Sequence, residues 1–104
     1  MQFQKASVLI KYKPIHGKKE ELIKHLIDTA NNFSGNESGI EIFLVSTSPL
    51  DDNVVYLYEV YTGQPDKDKY ESTPEYSFSR QNIKNLTQGA PEVIPLIPQG
   101  GKQK

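Results

Sequence analysis

Hydrophobic positions recur along this chain in two rhythms, one every second residue and one every third or fourth. The two-residue rhythm is strongest at residues 54–61, VVYLYEVY. One face of such a strand carries Val54, Tyr56, Tyr58 and Val60, and the other carries Val55, Leu57, Glu59 and Tyr61. Both sets are apolar or aromatic apart from Glu59, so this strand is expected to be covered on both sides. Residues 6–12 set Val8, Ile10 and Tyr12 against Ser7, Leu9 and Lys11, and residues 40–47 set Ile40, Ile42 and Leu44 against Glu41, Phe43 and Val45. Residues 92–97, EVIPLI, give a last short strand whose Pro95 suits an edge.

The helical rhythm begins at Lys18. Leu22, Ile23, Leu26, Ile27, Ala30 and Phe33 form one stripe, with Glu20, Glu21, Lys24 and Asp28 pointing away. Glu20 and Glu21 suit the positive end of the helix dipole, and Ser34-Gly35-Asn36 supplies the stop. A second helical region comes in two pieces, residues 65–71 and 75–86, with Thr73 capping the restart and Tyr76, Ile83 and Leu86 inward. Lys13-Pro14 and His16-Gly17 turn the chain out of the first strand, and residues 48–53, SPLDDN, join the second and third strands as an antiparallel hairpin. The order strand, helix, strand, strand, helix, strand predicts an α+β, ferredoxin-like βαββαβ domain with its helices on one face of the sheet. Residues 1–98 form that single domain and residues 99–104 a flexible tail. Whichever face the helices cover, the other is apolar, and a chain of 104 residues has little left to hide it. A homodimer closed by two facing sheets is the expected solution.

Charge narrows the partners. The net charge is -1 with no basic stripe, which argues against nucleic acid and against an anionic membrane surface. No run of apolar residues reaches the length of a membrane span or a signal peptide, so a cytoplasmic protein is expected. There is no cysteine, which excludes disulfides, thiolate nucleophiles and cysteine-ligated metals. His16 and His25 stand too far apart, without an acidic cluster, to suggest a metal site. Ser7, Ser46 and Ser48 have no histidine and acid arrayed with them for nucleophilic catalysis.

Several spaced motifs carry a family resemblance. KPIHGKKEEL at 13–22, SGI at 38–40, SPLDDN at 48–53, YLYEVY at 56–61, TPEY at 73–76 and GAPEVIPL at 89–96 are similar to the antibiotic biosynthesis monooxygenase domain, which includes small quinol monooxygenases. The resemblance spans almost the whole chain. It implies a dimeric α+β barrel whose members oxidise hydroquinones, anthrones or related phenols with molecular oxygen and with neither metal nor flavin. Many members carry a block resembling H-x-x-S-P-x-F. Counted onto this chain, Tyr70 takes the histidine's place, Thr73 the serine's and Tyr76 the aromatic's. Tyrosine does not titrate near neutrality as histidine does. The haem-degrading branch uses a tryptophan, and this chain has none.

A cofactor-free oxygenase needs a base, donors for the resulting anion and a dry pocket. Glu59, a carboxylate among aromatic neighbours, is the candidate base, with Tyr70 as the second candidate catalytic residue. The structural alternative for Glu59 is a pairing with lysine or arginine, or a hydrogen bond across a dimer. Tyr58, Tyr61 and Tyr76 are candidate substrate-binding walls, against the plainer role of core tyrosines with satisfied hydroxyls. Arg80, the only arginine, could anchor a carboxylate or phenolate, or form a surface salt bridge. His25 is placed one position off the inner stripe of the first helix, as a boundary residue. Two functions follow: a cofactor-independent monooxygenase acting on a small aromatic such as a quinol or polycyclic phenol, or a non-catalytic dimeric module that binds a small hydrophobic ligand.

Overall fold

Strand pairing gathers the alternating segments into one antiparallel sheet. A computed structural model describes residues 4–33 and 39–101. In it β1 (Ala6–Tyr12), β2 (Ile40–Thr47), β3 (Val55–Tyr61) and β4 (Glu92–Leu96) lie in the order β2-β3-β1-β4. All three pairings are antiparallel. The strand with the densest apolar pattern, β3, is therefore interior, and the strand with the proline, β4, is an edge. The helices are α1 (Lys19–Phe33), α2 (Gln64–Glu71) and α3 (Pro74–Lys84). The element order is the expected ferredoxin-like one, with the second helical region split in two. Thr73 makes that split: its Oγ1 accepts from the Tyr76 amide at 3.1 Å, and Pro74 follows at the first position of α3. The expected stop at Ser34-Gly35-Asn36, the inward setting of the Phe33 side chain and the last three residues of the tail lie outside the described residues.

The parity of β3 is decided by what α1 presents to it. Leu22 and Leu26 are fully buried against Tyr12, Val55, Leu57 and Leu86. Hence Val55, Leu57, Glu59 and Tyr61 face the helices, and Tyr56, Tyr58 and Val60 face away. Register extends the helix-facing layer to Val8 and Ile10 on β1 and to Phe43 and Val45 on β2. Burying side chains of this size contributes about 1.5–3 kcal/mol each. Ile27 departs from the expected stripe. It stands one residue round the helix from Leu26, past the line of contact, and is 44% exposed.

Two local devices shape the sheet around the site. A register shift between Ile40 and Ile42 bulges β2 outward at Glu41, which meets the Lys5 ammonium and accepts from Thr62 Oγ1 at 3.0 Å. At the far end, Ile15 N donates to Leu86 O at 2.9 Å, Gln88 N donates to Lys13 O at 2.7 Å, and Pro14 bridges Thr87. Pro14 thus leaves the β1 ladder, as expected, but pins the exit of α3 to the end of β1.

Candidate functional site

A cleft of about 860 Å3 opens between the helix-facing side of the sheet and α2 and α3. Its floor is β1 and β3, with Val8, Ile10, Leu57 and Glu59; its far wall is Tyr70 from α2 and Tyr76 and Arg80 from α3. Periodicity puts them there. Glu59 shares the inward parity of Leu57, and Tyr76 and Arg80 lie four residues apart on one side of a helix. A cleft of this size, mostly apolar with a few converging polar groups, suits a small organic ligand.

Glu59 is the polar centre of the floor and only 6% exposed. Tyr61 Oη donates to its Oε1 at 2.5 Å. Burial raises the Glu59 pKa above the ordinary carboxylate value; the Tyr61 hydrogen bond and the Lys67 charge oppose the rise, and the Glu71 charge adds to it. Lys67 is itself held by Glu71 at 2.6 Å, one turn apart on α2. The tyrosines form a chain leading away from the carboxyl. The Tyr61 and Tyr70 rings lie 6.2 Å apart, Tyr70 and Tyr76 meet edge to face at 5.2 Å, and the Arg80 guanidinium sits 5.8 Å over the Tyr76 ring. Burial, then the Glu59 charge, pushes the Tyr70 hydroxyl above the ordinary phenol value, so it stays protonated near neutrality.

The structure brings five of the six candidate residues together and separates one. Glu59, Tyr70, Tyr76 and Arg80 line the cleft. Tyr61 is fully buried behind it, hydrogen-bonded to Glu59 and in ring contact with Tyr70. Tyr58 lies on the opposite face of the sheet, away from Glu59, because neighbouring residues of a strand point to opposite sides. Tyr12, Lys67, Glu71 and Ser79 also line the cleft and escaped the sequence pattern. Tyr12 looks like the last residue of an ordinary strand, yet it lines the cleft, its hydroxyl pKa pushed upward by burial first and then by the Glu59 and Tyr76 charges, with Arg80 opposing. The inward alternation Val8, Ile10, Tyr12 was the available signal. His25, expected one position off the inner stripe of the first helix, lies between α1 and α3, bonded to Ser79 and Asn82.

Among the described residues no group of three or more His, Cys, Asp or Glu is arranged to hold a metal ion, and no helix is long and apolar enough to cross a membrane. No family model and no curated protein matches the chain. Solved structures do. A "putative antibiotic biosynthesis monooxygenase" from Caulobacter crescentus superposes with a TM-score of 0.83 at 20% identity, covering 90% of this chain and 89% of its own. Rv0793 from Mycobacterium tuberculosis gives 0.84 at 19% identity, covering 95% and 99%. The fold is theirs. A third such structure, a "putative Antibiotic biosynthesis monooxygenase" from Chloroflexus aurantiacus, gives 0.78 at 18% identity over 95% and 97% of the two chains. Identities this low speak for the shared fold alone.

Proposed function

We propose that this chain is a dimeric, cofactor-independent monooxygenase of the antibiotic biosynthesis monooxygenase type, acting on a quinol or polycyclic phenol. The observation that carries the proposal is the single cleft that contains both the buried Glu59 and the Tyr70, Tyr76 and Arg80 wall. Glu59 takes a phenolic or benzylic proton from the substrate, its raised pKa making it a stronger base than a solvated carboxylate. The substrate anion passes one electron to oxygen, and the resulting radical pair with superoxide collapses into a carbon–oxygen bond. Loss of the remaining proton on that carbon breaks the O–O bond, leaving a carbonyl and releasing the second oxygen as water. The substrate supplies every electron, so no external reductant enters. Tyr70 and Tyr76 wall the flat ring, and Arg80 stabilises the anion.

The dimer completes the same proposal. Leu9, Ile42, Leu44, Tyr56, Tyr58, Ile94 and Leu96 lie on the face turned from the helices, with Leu44 57% exposed. Face-to-face pairing would bury well over ~1,000 Å2 of such surface.

One observation favours a second function, the non-catalytic module that binds a small hydrophobic ligand. Tyr70 occupies the family's histidine place, and its raised pKa bars it from serving as a base near neutrality. Oxygen uptake with a panel of reduced quinols separates the two. Wild type is expected to consume oxygen at least ~100-fold faster than Glu59→Gln. Equal rates remove Glu59 from the mechanism, and ligand binding without uptake across the panel selects the binding module.

A further inference from the structure

A second space of about 430 Å3 lies between α1 and α3, and Ser79 is the one described residue that lines both it and the main cleft. Ser79 is 7% exposed and stands mid-helix, where serine has no capping duty. Behind it runs a short relay. Asn82 Nδ2 lies 3.2 Å from His25 Nδ1, and His25 Nε2 lies 2.9 Å from Ser79 Oγ. An amide nitrogen can only donate, so Nδ1 accepts and the ring proton sits on Nε2, which donates to Ser79 Oγ. The Ser79 oxygen is then an acceptor towards His25, and its own proton is left for a partner on the other side. Burial holds the imidazole below its ordinary pKa, against a backbone hydrogen bond at Ser79 and the Asp28 charge, so the neutral form prevails at neutrality.

We propose that the Ser79 hydroxyl is an oxyanion donor of the main cleft, oriented by His25 and Asn82 as positioning residues, and that the ligand presents a phenolate or enolate oxygen to it. The geometry supplies on α3 a neutral donor beside the cationic Arg80, one residue along the helix. A hydroxyl that already accepts a hydrogen bond is a stronger donor through its own proton, because the two bonds polarise each other. This inference rests on the cleft being the substrate site, and it concerns anion binding rather than oxygen chemistry.

The test uses 4-nitrophenol, whose phenolate absorbs at longer wavelength than the neutral phenol, titrated with the 104-residue chain at a pH where both forms coexist. Wild type is expected to prefer the phenolate, and Ser79→Ala to lose that preference roughly tenfold, the effect of one charge-assisted hydrogen bond. Alanine suits a helix, so the variant keeps its fold, checked by its melting curve. His25→Leu is expected to lose the preference as Ser79→Ala does. His25→Gln, whose amide can accept from Asn82 and donate to Ser79, is expected to restore it. An unchanged preference in Ser79→Ala, or no binding of 4-nitrophenol by wild type, overturns the inference. A protein inert towards oxygen that keeps a Ser79-dependent preference loses only the monooxygenase function. An active oxygenase indifferent to Ser79→Ala loses only the donor.

Discussion

At Glu59 the roles of base and of buried group pull against each other, since a carboxyl desolvated enough to take a proton is costly to keep charged. Its pKa is raised on folding, so the folded state holds the proton more tightly. Stability from this group is complete below the ordinary carboxylate value and falls as pH rises through the folded value. Glu59→Gln is therefore expected to melt several degrees higher than wild type at neutral pH, with the gap closing as the buffer is acidified; calorimetry across pH reads it. His25 has the opposite sign. Its pKa is lowered, so its contribution is present above the ordinary histidine value and is lost as pH falls through the folded one. Glu59 was legible in the sequence because it is the one charge in an apolar run. Tyr12 was not, because an aromatic at the end of a strand reads equally as core. Tyr58 and Glu59 are neighbours in sequence with both faces apolar, so only the packing of Leu22 and Leu26 could tell them apart.

Elements hold these side chains in place through a few backbone contacts. The Thr73 cap fixes the amide of Tyr76, the residue whose ring joins Tyr70 to Arg80. Thr73→Ala should cost about 1 kcal/mol, a drop of roughly 4–8 °C in Tm for a domain of this size, and should weaken ligand binding by loosening Tyr76. Gly39 joins the chain to β2 at φ 104, with its carbonyl accepting from Thr62 N at 2.8 Å. A Cβ there would run into the Asp66 side chain at the start of α2. Gly39→Ala is expected to cost about 1–3 kcal/mol, read by urea denaturation, and to shift α2 with its Lys67 and Tyr70. The helix split at Thr73-Pro74 and the four strands were legible from proline, capping and period-two signals. The bulge at Glu41 was not, because the unbroken alternation of residues 40–47 carries no mark of an extra residue.

For the whole molecule, two layers leave one side of the sheet without a helix among the described residues. In the proposed dimer, the paired variant Leu44→Lys with Leu96→Lys places like charges where two sheets meet. Sedimentation is expected to show a dimer for wild type and a monomer for the variant at micromolar concentration. An apolar second face could be foreseen from the strand at 54–61, whereas which residues compose it awaited the register. The margins of the sheet differ in kind from its faces. β2 ends one margin with a bulge and the Lys5–Glu41 ion pair, and β4 ends the other as five residues interrupted by Pro95. The bulge and charged pair at one border and the proline at the other each disfavour a stranger's backbone hydrogen-bonding alongside. Growth by adding ribbon to ribbon is therefore hindered at both borders, the usual way a sheet protein holds off open-ended stacking into fibres.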